Sequence, residues 1–506
     1  MQINKVAIIG GGTAGWLAAN HLGAELSHNP LLEITVIESQ DVPSIGVGEG
    51  TVPYIMNSLK RFGISEAEFL FKCDATFKQG IKFVNWLDTN IHGENHYYHP
   101  FDVPYPKGFN VTSYMLTKGL RFDSVGIQAD LCELGLSPKH KSNGDYEGVA
   151  SYAYHFNALK FAELLSNNAQ RRFGIKHLIA TIESATKDEF GNVRSLVTRD
   201  NEELQFDFYV DCSGFSSILI DKTLHTPFVS KSEELIVDTA LVQQVNLAEN
   251  EAIRPYTTAT AHAAGWIWDI PLTNRRGTGF VYSSKYMSEQ EAKTQYAQYL
   301  KIPEADFNPR KIPMEVGYRE YFWNKNCVAL GLAQGFVEPL EATSILLTDF
   351  SAELLCRNFP RTIEDMPTFQ EDFNRATRYA WDRTVDFIKL HYCISDRQDS
   401  GFWEENRNSR TWSPELTQKL QKFKLRPPIQ SDFFSRFELF DDKNFQYVLY
   451  GMQYSTDLPN MNNIEFKKSE QILGENSLLL DNAKRNLMPH RQWLDGLAKA
   501  MSRLNR

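Results

Sequence analysis

KVAIIGGGTAG, residues 5–15, is an apolar run rich in β-branched residues that leads directly into a glycine-rich turn. The run predicts a buried strand, and the apolar pattern at residues 16–26 predicts the helix that follows it. A second apolar run at residues 33–37 completes a strand–helix–strand unit. The sequence therefore predicts an α/β protein with a Rossmann-like fold at its N-terminal end.

The glycine-rich turn fits the pattern G-x-G-x-x-G of dinucleotide-binding folds. In that pattern Gly10 makes the tight turn, Gly12 leaves room for a pyrophosphate, and Gly15 lets the helix pack closely on the strand. The N–H groups at the start of the helix would face the phosphates. Glu38 ends the second strand, where an acid can accept a hydrogen bond from a ribose. These features together predict a dinucleotide site.

Two later segments favour FAD over NAD as the dinucleotide. Both DCSG at residues 211–214 and GLAQGFVEP at residues 331–339 follow strand-like runs and contain glycine turns that suit contacts with a flavin. The predicted FAD contacts in these segments and in the first turn are Gly10, Gly12, Thr13, Ala14, Gly15, Glu38, Asp211, Gly331 and Phe336.

Composition excludes several other classes of protein. The net charge of -10 arises from 63 acidic and 53 basic residues without long blocks of one sign, which argues against a general nucleic-acid or anionic-membrane binder. The six cysteines are dispersed, so we expect reduced thiols and no metal site. The N-terminus lacks the pattern of a signal peptide and no apolar run reaches the ~18 residues of a membrane span, so we expect a cytoplasmic protein.

The pattern along the chain predicts interleaved parts rather than separate linked domains. We expect an FAD-binding and catalytic body at residues 1–370, with an irregular aromatic loop at 88–110 and a strand-rich substrate region at 216–320 inserted in it. Residues 371–506 are predicted to be a mostly helical part that covers the substrate. The oligomeric state is left open, with a homodimer among the alternatives.

A tryptophan-rich segment narrows the function. GWIWDIP at residues 265–271 contains W-x-W-x-I-P, and further segments at 44–53, 99–101, 335–341 and 386–392 occur in the matching order. In these motifs the chain resembles the flavin-dependent halogenases of the tryptophan-halogenase family, which implies an aromatic-hydroxylase-like fold. The resemblance implies that reduced FAD, O2 and chloride or bromide form hypohalous acid, which halogenates an electron-rich aromatic such as an indole or a tryptophan-like compound.

The resemblance also implies a tunnel between the flavin and the substrate. Residues 46–53 resemble a strap that touches both sides, and His99 and Phe101 match residues of the substrate pocket. Its further FAD contacts would be Gly46, Val47 and Gly48. The residues that would line the tunnel or the pocket are Pro53, His99, Phe101, Trp266, Trp268, Ile270 and Pro271.

Lys78 and Glu341 align with the catalytic lysine and glutamate of the family. The amine of Lys78 would donate a hydrogen bond to hypohalous acid or carry the halogen as a haloamine, and the sequence leaves both roles open. Glu341 would orient the oxidant and accept the ring proton. Lys82 is the competing lysine, but only Lys78 matches the motif.

The halide is expected on the N–H groups of Thr343 and Ser344. Here the chain departs from the best-known tryptophan halogenases, because Ala342 replaces a serine and Ser344 replaces a glycine. The change puts the halide preference in doubt and makes a preference for bromide an open alternative.

The sequence leaves alternatives open for both the substrate and the reaction. No C-terminal segment aligns with the residues that hold the amino-acid end of tryptophan, so another electron-rich arene or a carrier-bound pyrrole or phenol is an alternative. A two-component flavin monooxygenase and a non-catalytic flavin-binding protein are the rival functions. Asp211 and Gly214 are not adjacent, unlike the Asp-Gly pair of single-component hydroxylases, which favours a separate NAD(P)H-dependent flavin reductase as partner.

Overall fold

The structure, a computed structural model, describes residues 2–41, 48–458 and 460–504. The glycine-rich turn follows the strand Lys5–Ile9, which lies inside a sheet and pairs in parallel with Phe208–Asp211 and Glu33–Glu38. Val6 and Ile8 on one face of the strand and Ala7 and Ile9 on the other are all buried, as in an apolar strand covered on both faces. In spatial order this sheet contains Trp323–Asn324, Cys327–Ala329, Phe208–Asp211, Lys5–Ile9, Glu33–Glu38 and Lys176–Ile179.

A larger, mostly antiparallel sheet carries the W-x-W-x-I-P segment. Gly265–Pro271 is one of its inner strands and pairs with Thr257–His262 and Arg275–Tyr282. Every residue of that strand is buried. In spatial order the sheet contains Arg310–Pro313, Thr239–Asn246, Arg275–Tyr282, Gly265–Pro271, Thr257–His262, Gly80–Val84 and His96–Pro100.

Three small sheets complete the β structure of the described residues. One of them joins the end of the strap to the strand of Lys78, because Gly48–Gly50 and Thr76–Lys78 both pair with Ala153–Asn157. The second contains Glu203–Leu204, Val193–Thr198 and Ile182–Lys187, and the third contains Phe228–Ser230, Gly317–Arg319 and Gly335–Phe336.

Helices flank the first sheet and dominate the C-terminal part. Thr13–Leu26 packs on Ala158–Phe173 and Thr343–Arg357 beside the parallel sheet. None of the helices within the described ranges is both long enough and apolar enough to cross a membrane. The helices are Thr13–Leu26, Ile55–Phe62, Glu66–Lys72, Thr89–His92, Thr112–Thr117, Gln128–Glu133, Ala158–Phe173, Glu289–Leu300, Thr343–Arg357, Met366–Cys393, Gly401–Arg407, Pro414–Leu425, Asp442–Gly451, Asn463–Asn486 and His490–Leu504.

The predicted fold class is confirmed, with one local correction. The Rossmann-like sheet, the strand-rich middle and the helical C-terminal part are all present. The expectation of an irregular loop over residues 88–110 was wrong, because His96–Pro100 is a strand paired with Gly80–Val84. Its last four residues, Tyr97 to Pro100, are all buried, in part against the helix Asp442–Gly451, so the usual apolar and polar alternation of a strand is missing. The proposed domain boundaries remain a prediction.

Candidate active site

The geometry of the first turn suits a dinucleotide. Gly10 has φ +116°, and a Cβ atom there would lie 2.2 Å from the carbonyl oxygen of Cys212. A Cβ atom at Gly15 would lie 1.9 Å from the carbonyl oxygen of Gly10. At Gly12 the same atom would meet nothing within 4 Å, which is the open space that a pyrophosphate requires. The two glycines permit close packing, and the third leaves a cradle.

Two further predicted residues lie against this turn. Glu38 is so close to Gly11 that a Cβ atom there would lie 2.2 Å from its carboxyl carbon, and it accepts a hydrogen bond from His177 Nε2 at 2.8 Å. Gly331 has φ +63°, and its Cβ position lies 2.6 Å from the Cβ of Ala14. The first and last glycine turns therefore meet, as one FAD site would require.

Asp211 shapes the second predicted turn from inside. Its carboxylate is fully buried and accepts hydrogen bonds from Ser213 N–H at 3.0 Å and from Ser213 Oγ at 2.6 Å. It also accepts the N–H groups of Leu219 and Ile220 at 2.8 and 2.9 Å. Since these four bonds occupy both oxygens, the carboxylate of Asp211 holds its own turn in place, and its predicted contact with FAD stays a prediction.

Lys78 lies fully buried at the end of the strand Thr76–Lys78. Its Nζ donates a hydrogen bond to the carbonyl oxygen of Thr51 at 3.0 Å and lies 5.4 Å from the centre of the Phe101 ring. Burial lowers the pKa of Lys78 to about 7, although the charge of Glu341 acts in the opposite direction. Lys78 therefore lies beside Thr51, which belongs to the strap, and beside Phe101, a predicted residue of the substrate pocket.

Glu341 is held between two histidines. Nδ1 of His99 donates to the two carboxylate oxygens at 2.9 and 3.0 Å, and Nε2 of His391 lies 2.8 Å from Oε1. Asn444 lies 3.1 Å from the other nitrogen of His99. Burial favours the neutral acid, but the charge and hydrogen bonds of His99 and His391 outweigh it and lower the pKa of Glu341 to about 2. The glutamate is a carboxylate at working pH.

Sequence reasoning missed His391 as a site residue. It lies in the quoted segment 386–392, but no spacing rule connects it to Glu341, 50 positions earlier in the chain. Nδ1 of His391 is 3.0 Å from the carbonyl oxygen of Phe387, one turn back on the same helix. The ring of His391 is thus held between its own helix and the carboxylate of Glu341.

Lys82, the competing lysine, lies in a different environment. Its Nζ donates to Glu133 at 2.6 Å, and its side chain is 17% exposed. Lys78 lies close enough to Glu341 for the charge of the carboxylate to affect its pKa. The structure therefore places the matched lysine, rather than its neighbour, beside the buried glutamate.

The strap is described only in part. Gly46 and Val47 lie outside the described residues, so their predicted FAD contacts stay predictions. Gly48 begins the strand Gly48–Gly50 and packs on the W-x-W-x-I-P strand, because its Cβ position is 3.5 Å from Cγ2 of Ile270. Pro53 follows two residues after Thr51, the partner of Lys78.

The first of the two tryptophans, Trp266, is anchored by a carboxylate that was not predicted from the sequence. Trp266 and Trp268 point to one face of their strand, with ring centres 6.1 Å apart. Trp266 Nε1 and the hydroxyl of Tyr392 both donate to Oε2 of Glu338 at 2.6 Å. Burial raises the pKa of Glu338 to about 7. At the end of the strand, the carbonyl oxygen of Pro271 accepts the Thr76 hydroxyl at 2.7 Å.

The predicted halide turn opens a helix whose first N–H groups have no side-chain cap. Ala342 precedes Thr343–Arg357 with φ 57° and ψ 41°, a left-handed conformation. The first N–H groups of a helix have no acceptor within the helix, so those of Thr343 and Ser344 are suited to an anion. Ser344 and Phe336 border the same small cavity, which is lined by Gly331, Gly335, Phe336, Val337, Ser344, Leu347, Thr348 and Trp381.

Known proteins similar to this chain share both its sequence and its fold. The family model described as tryptophan halogenase matches residues 5–463. The tryptophan 6-halogenase SttH of Streptomyces toxytricini is 33% identical over 88% of this chain and 89% of its own length. The tryptophan 7-halogenase RebH of Lentzea aerocolonigenes is 30% identical over 96% of both chains. The crystal structure of a tryptophan halogenase from Shewanella frigidimarina is 35% identical over 98% of both chains, with a TM-score of 0.94.

These matches confirm the resemblance inferred from the W-x-W-x-I-P segment, and they extend over nearly the whole length of the chain. The open space at Gly12 suits a dinucleotide, and the buried Lys78 lies near enough to the buried Glu341 for the carboxylate charge to act on its pKa. The chain belongs to the tryptophan-halogenase family and is a flavin-dependent halogenase.

Proposed function

We propose that this halogenase acts on a small electron-rich aromatic, with an indole or a tryptophan-like compound as the first candidate. The observation that carries the proposal is the meeting of Lys78, Phe101, His99 and Glu341 in one buried site. Lys78 contacts the face of Phe101, His99 bonds to Glu341, and the charge of Glu341 acts on Lys78. An aromatic face beside an acid and an amine suits an electron-rich ring.

The chain's own glycine turns would hold FAD. The cradle at Gly12, the N–H groups at the start of Thr13–Leu26 and the carboxylate of Glu38 would bind its pyrophosphate and ribose. Bound reduced FAD would supply, with O2 and halide, the hypohalous acid for the reaction. A separate NAD(P)H-dependent reductase would deliver the reduced flavin.

Lys78 would act as an ammonium that activates the oxidant. Its neighbours are an accepting carbonyl at Thr51, an aromatic face at Phe101 and the carboxylate of Glu341, and each of these favours the charged form. As the ring carbon bonds to the halogen, the bond between halogen and oxygen breaks. An N–H of Lys78 directed at that oxygen would stabilise the departing hydroxide.

Glu341 would take the proton that the ring loses. The hydrogen bonds from His99 and His391 hold its carboxylate in one orientation, and these three bonds leave lone-pair capacity for one more partner. The ring proton and the departing hydroxide together form water, so the substitution is balanced. Neither residue is altered after turnover.

The proposed function is tested by product mass. We expect incubation with NADH, a flavin reductase, FAD, O2, bromide and a panel of indoles and phenols to yield products with the isotope doublet of bromine. Omitting the reductase should abolish product. Addition of a single oxygen atom to the substrates, without halogen, would contradict the proposal and favour hydroxylation.

The halide preference is a second expected result. Ser344 adds a side chain beside the N–H groups proposed for the halide, and bromide is more easily oxidised than chloride. With equal concentrations of both ions we expect brominated product in excess, measured by mass spectrometry. Ser344→Gly should raise the chlorinated share. Equal turnover of the two ions by the unaltered enzyme would refute the preference.

A further inference from the structure

The strand that carries Lys78 has a second support on its opposite face, from the C-terminal part of the chain. Side chains alternate along Thr76–Lys78, so Phe77 points away from the side chain of Lys78. The backbone N–H of Phe77 donates to Nε2 of His490 at 3.1 Å. The two rings are stacked with centres 5.8 Å apart. His490 thus contacts both the backbone and the side chain of the residue before Lys78.

The protonation of His490 follows from its hydrogen bonds. Nδ1 lies 3.1 Å from the carbonyl oxygen of Ile253, which can only accept, so Nδ1 carries the hydrogen. Nε2 is then free to accept from Phe77. His490 is 1% exposed, and burial lowers its pKa to about 4, which keeps this neutral form at working pH. The ring is a fixed acceptor for a strand N–H that would otherwise be buried without a partner.

The backbone around His490 is itself fixed by nearby loops. The N–H of His490 donates to the carbonyl oxygen of Gly135 at 2.8 Å, and Ser137 N–H donates to Met488 at 2.9 Å. The side-chain amide of Gln79, the residue after Lys78, donates to Leu136 in the same loop at 2.8 Å. His490 and this loop therefore hold Phe77 and Gln79, the residues immediately before and after Lys78.

We infer that His490 is a positioning residue for Lys78. It lies after residues 5–463, which are the part of the chain that the family model matches. It sets the path of the strand, and through it the direction of the Lys78 side chain. This inference rests on the proposed role of Lys78. Displacement of a catalytic group by about 1 Å can cost ~10²-fold in rate.

His490→Phe and His490→Gln separate positioning from mere packing. Phenylalanine keeps a ring against Phe77 but cannot accept its N–H. Glutamine places a carbonyl oxygen the same number of bonds from Cα as Nε2, so it can restore the acceptor. His262→Phe is the matched control, because His262 is a half-buried histidine whose ring packs against Phe280 and Tyr299, and burial also lowers its pKa to about 4.

Two quantities are measured: the halogenated product formed per reduced flavin consumed, and the pH above which kcat/KM for halogenation falls. We expect His490→Phe to lower product per flavin by ~10- to 10²-fold at an unchanged rate of flavin oxidation. In His490→Phe this pH should be higher, because hydration of Lys78 raises its pKa. His490→Gln should recover most of the product per flavin. His262→Phe should keep the original ratio.

Unchanged product per flavin in His490→Phe would overturn the inference. So would an equal loss of flavin oxidation and halogenation, or a lack of recovery in His490→Gln, because those results describe a packing residue. Lys78→Ala is measured in parallel: full halogenation by that variant would refute the proposed role of Lys78 itself, which is a distinguishable result.

Discussion

Lys78→Ala is expected to lower halogenation of every substrate by ~10² to 10⁴-fold and to leave oxidation of reduced flavin intact. The loss corresponds to about 3 to 5 kcal/mol of barrier. The flavin would be held by the glycine turns around Gly12 and Gly331, and Lys78 makes none of their contacts. Stopped-flow absorbance measures flavin oxidation, and mass spectrometry measures the halogenated product. The amine is thus tested apart from the cofactor site.

Two variants control for volume and for charge. Lys78→Met fills the buried site without an amine, so a loss shared with Lys78→Ala belongs to the amine rather than to a cavity. Lys82→Ala removes the nearby lysine that pairs with Glu133, and it should keep activity. Product from Lys78→Ala at nearly the rate and regioselectivity of the unaltered enzyme would show that the assignment is wrong.

The pH dependence identifies the active form of Lys78. If the ammonium donates to the oxidant, kcat/KM should be level below about pH 7 and fall by up to tenfold per pH unit above it, because Lys78 loses its proton with a pKa of about 7. A haloamine mechanism needs the neutral amine and gives the opposite slope. Flavin oxidation measured over the same range should lack this break.

Short motifs were enough to predict the glycine turn at the N-terminal end of the chain, while the individual FAD contacts stay predictions. The turn at residues 10–15 depends on backbone geometry that favours glycine, such as the φ of +116° at Gly10, so the turn itself can be predicted from the sequence. Lys78 and Glu341 were predicted from family motifs, and the structure brings them into one buried environment.

The residues that hold Lys78 and Glu341 in position could not be predicted in the same way. His391 meets Glu341, and His490 meets Phe77, across separations of 50 and 413 residues. Helical periodicity predicts which face of a helix is buried, but not which distant side chain that face will contact. The strand His96–Pro100 was missed for a related reason, since its residues Tyr97 to Pro100 are buried against elements distant in sequence, among them the helix Asp442–Gly451. Tertiary packing decides all three.

Glu341→Gln is expected to reduce halogenation by about 10²-fold, the lower end of the range expected for Lys78→Ala. An amide can still orient the oxidant, but it cannot take the ring proton. Because the pKa of Glu341 is about 2, the carboxylate persists across the working pH range, and the loss should not vary with pH. Flavin oxidation should be unaffected. Rates of product formation at several pH values measure the effect.

The neighbours of Glu341 determine which controls the Glu341→Gln variant needs. The glutamine carbonyl can accept from His99, while its NH2 group faces His391, which must then give up its Nε2 proton and accept. Removing one member of a buried charged pair can cost ~3–5 kcal/mol of stability, so thermal unfolding must be measured beside activity. Glu341→Asp keeps the charge but withdraws the carboxylate by one carbon. If Glu341→Gln remains folded and halogenates at the rate of the unaltered enzyme, another group accepts the ring proton, and Glu341 serves only to hold His99 and His391 in place.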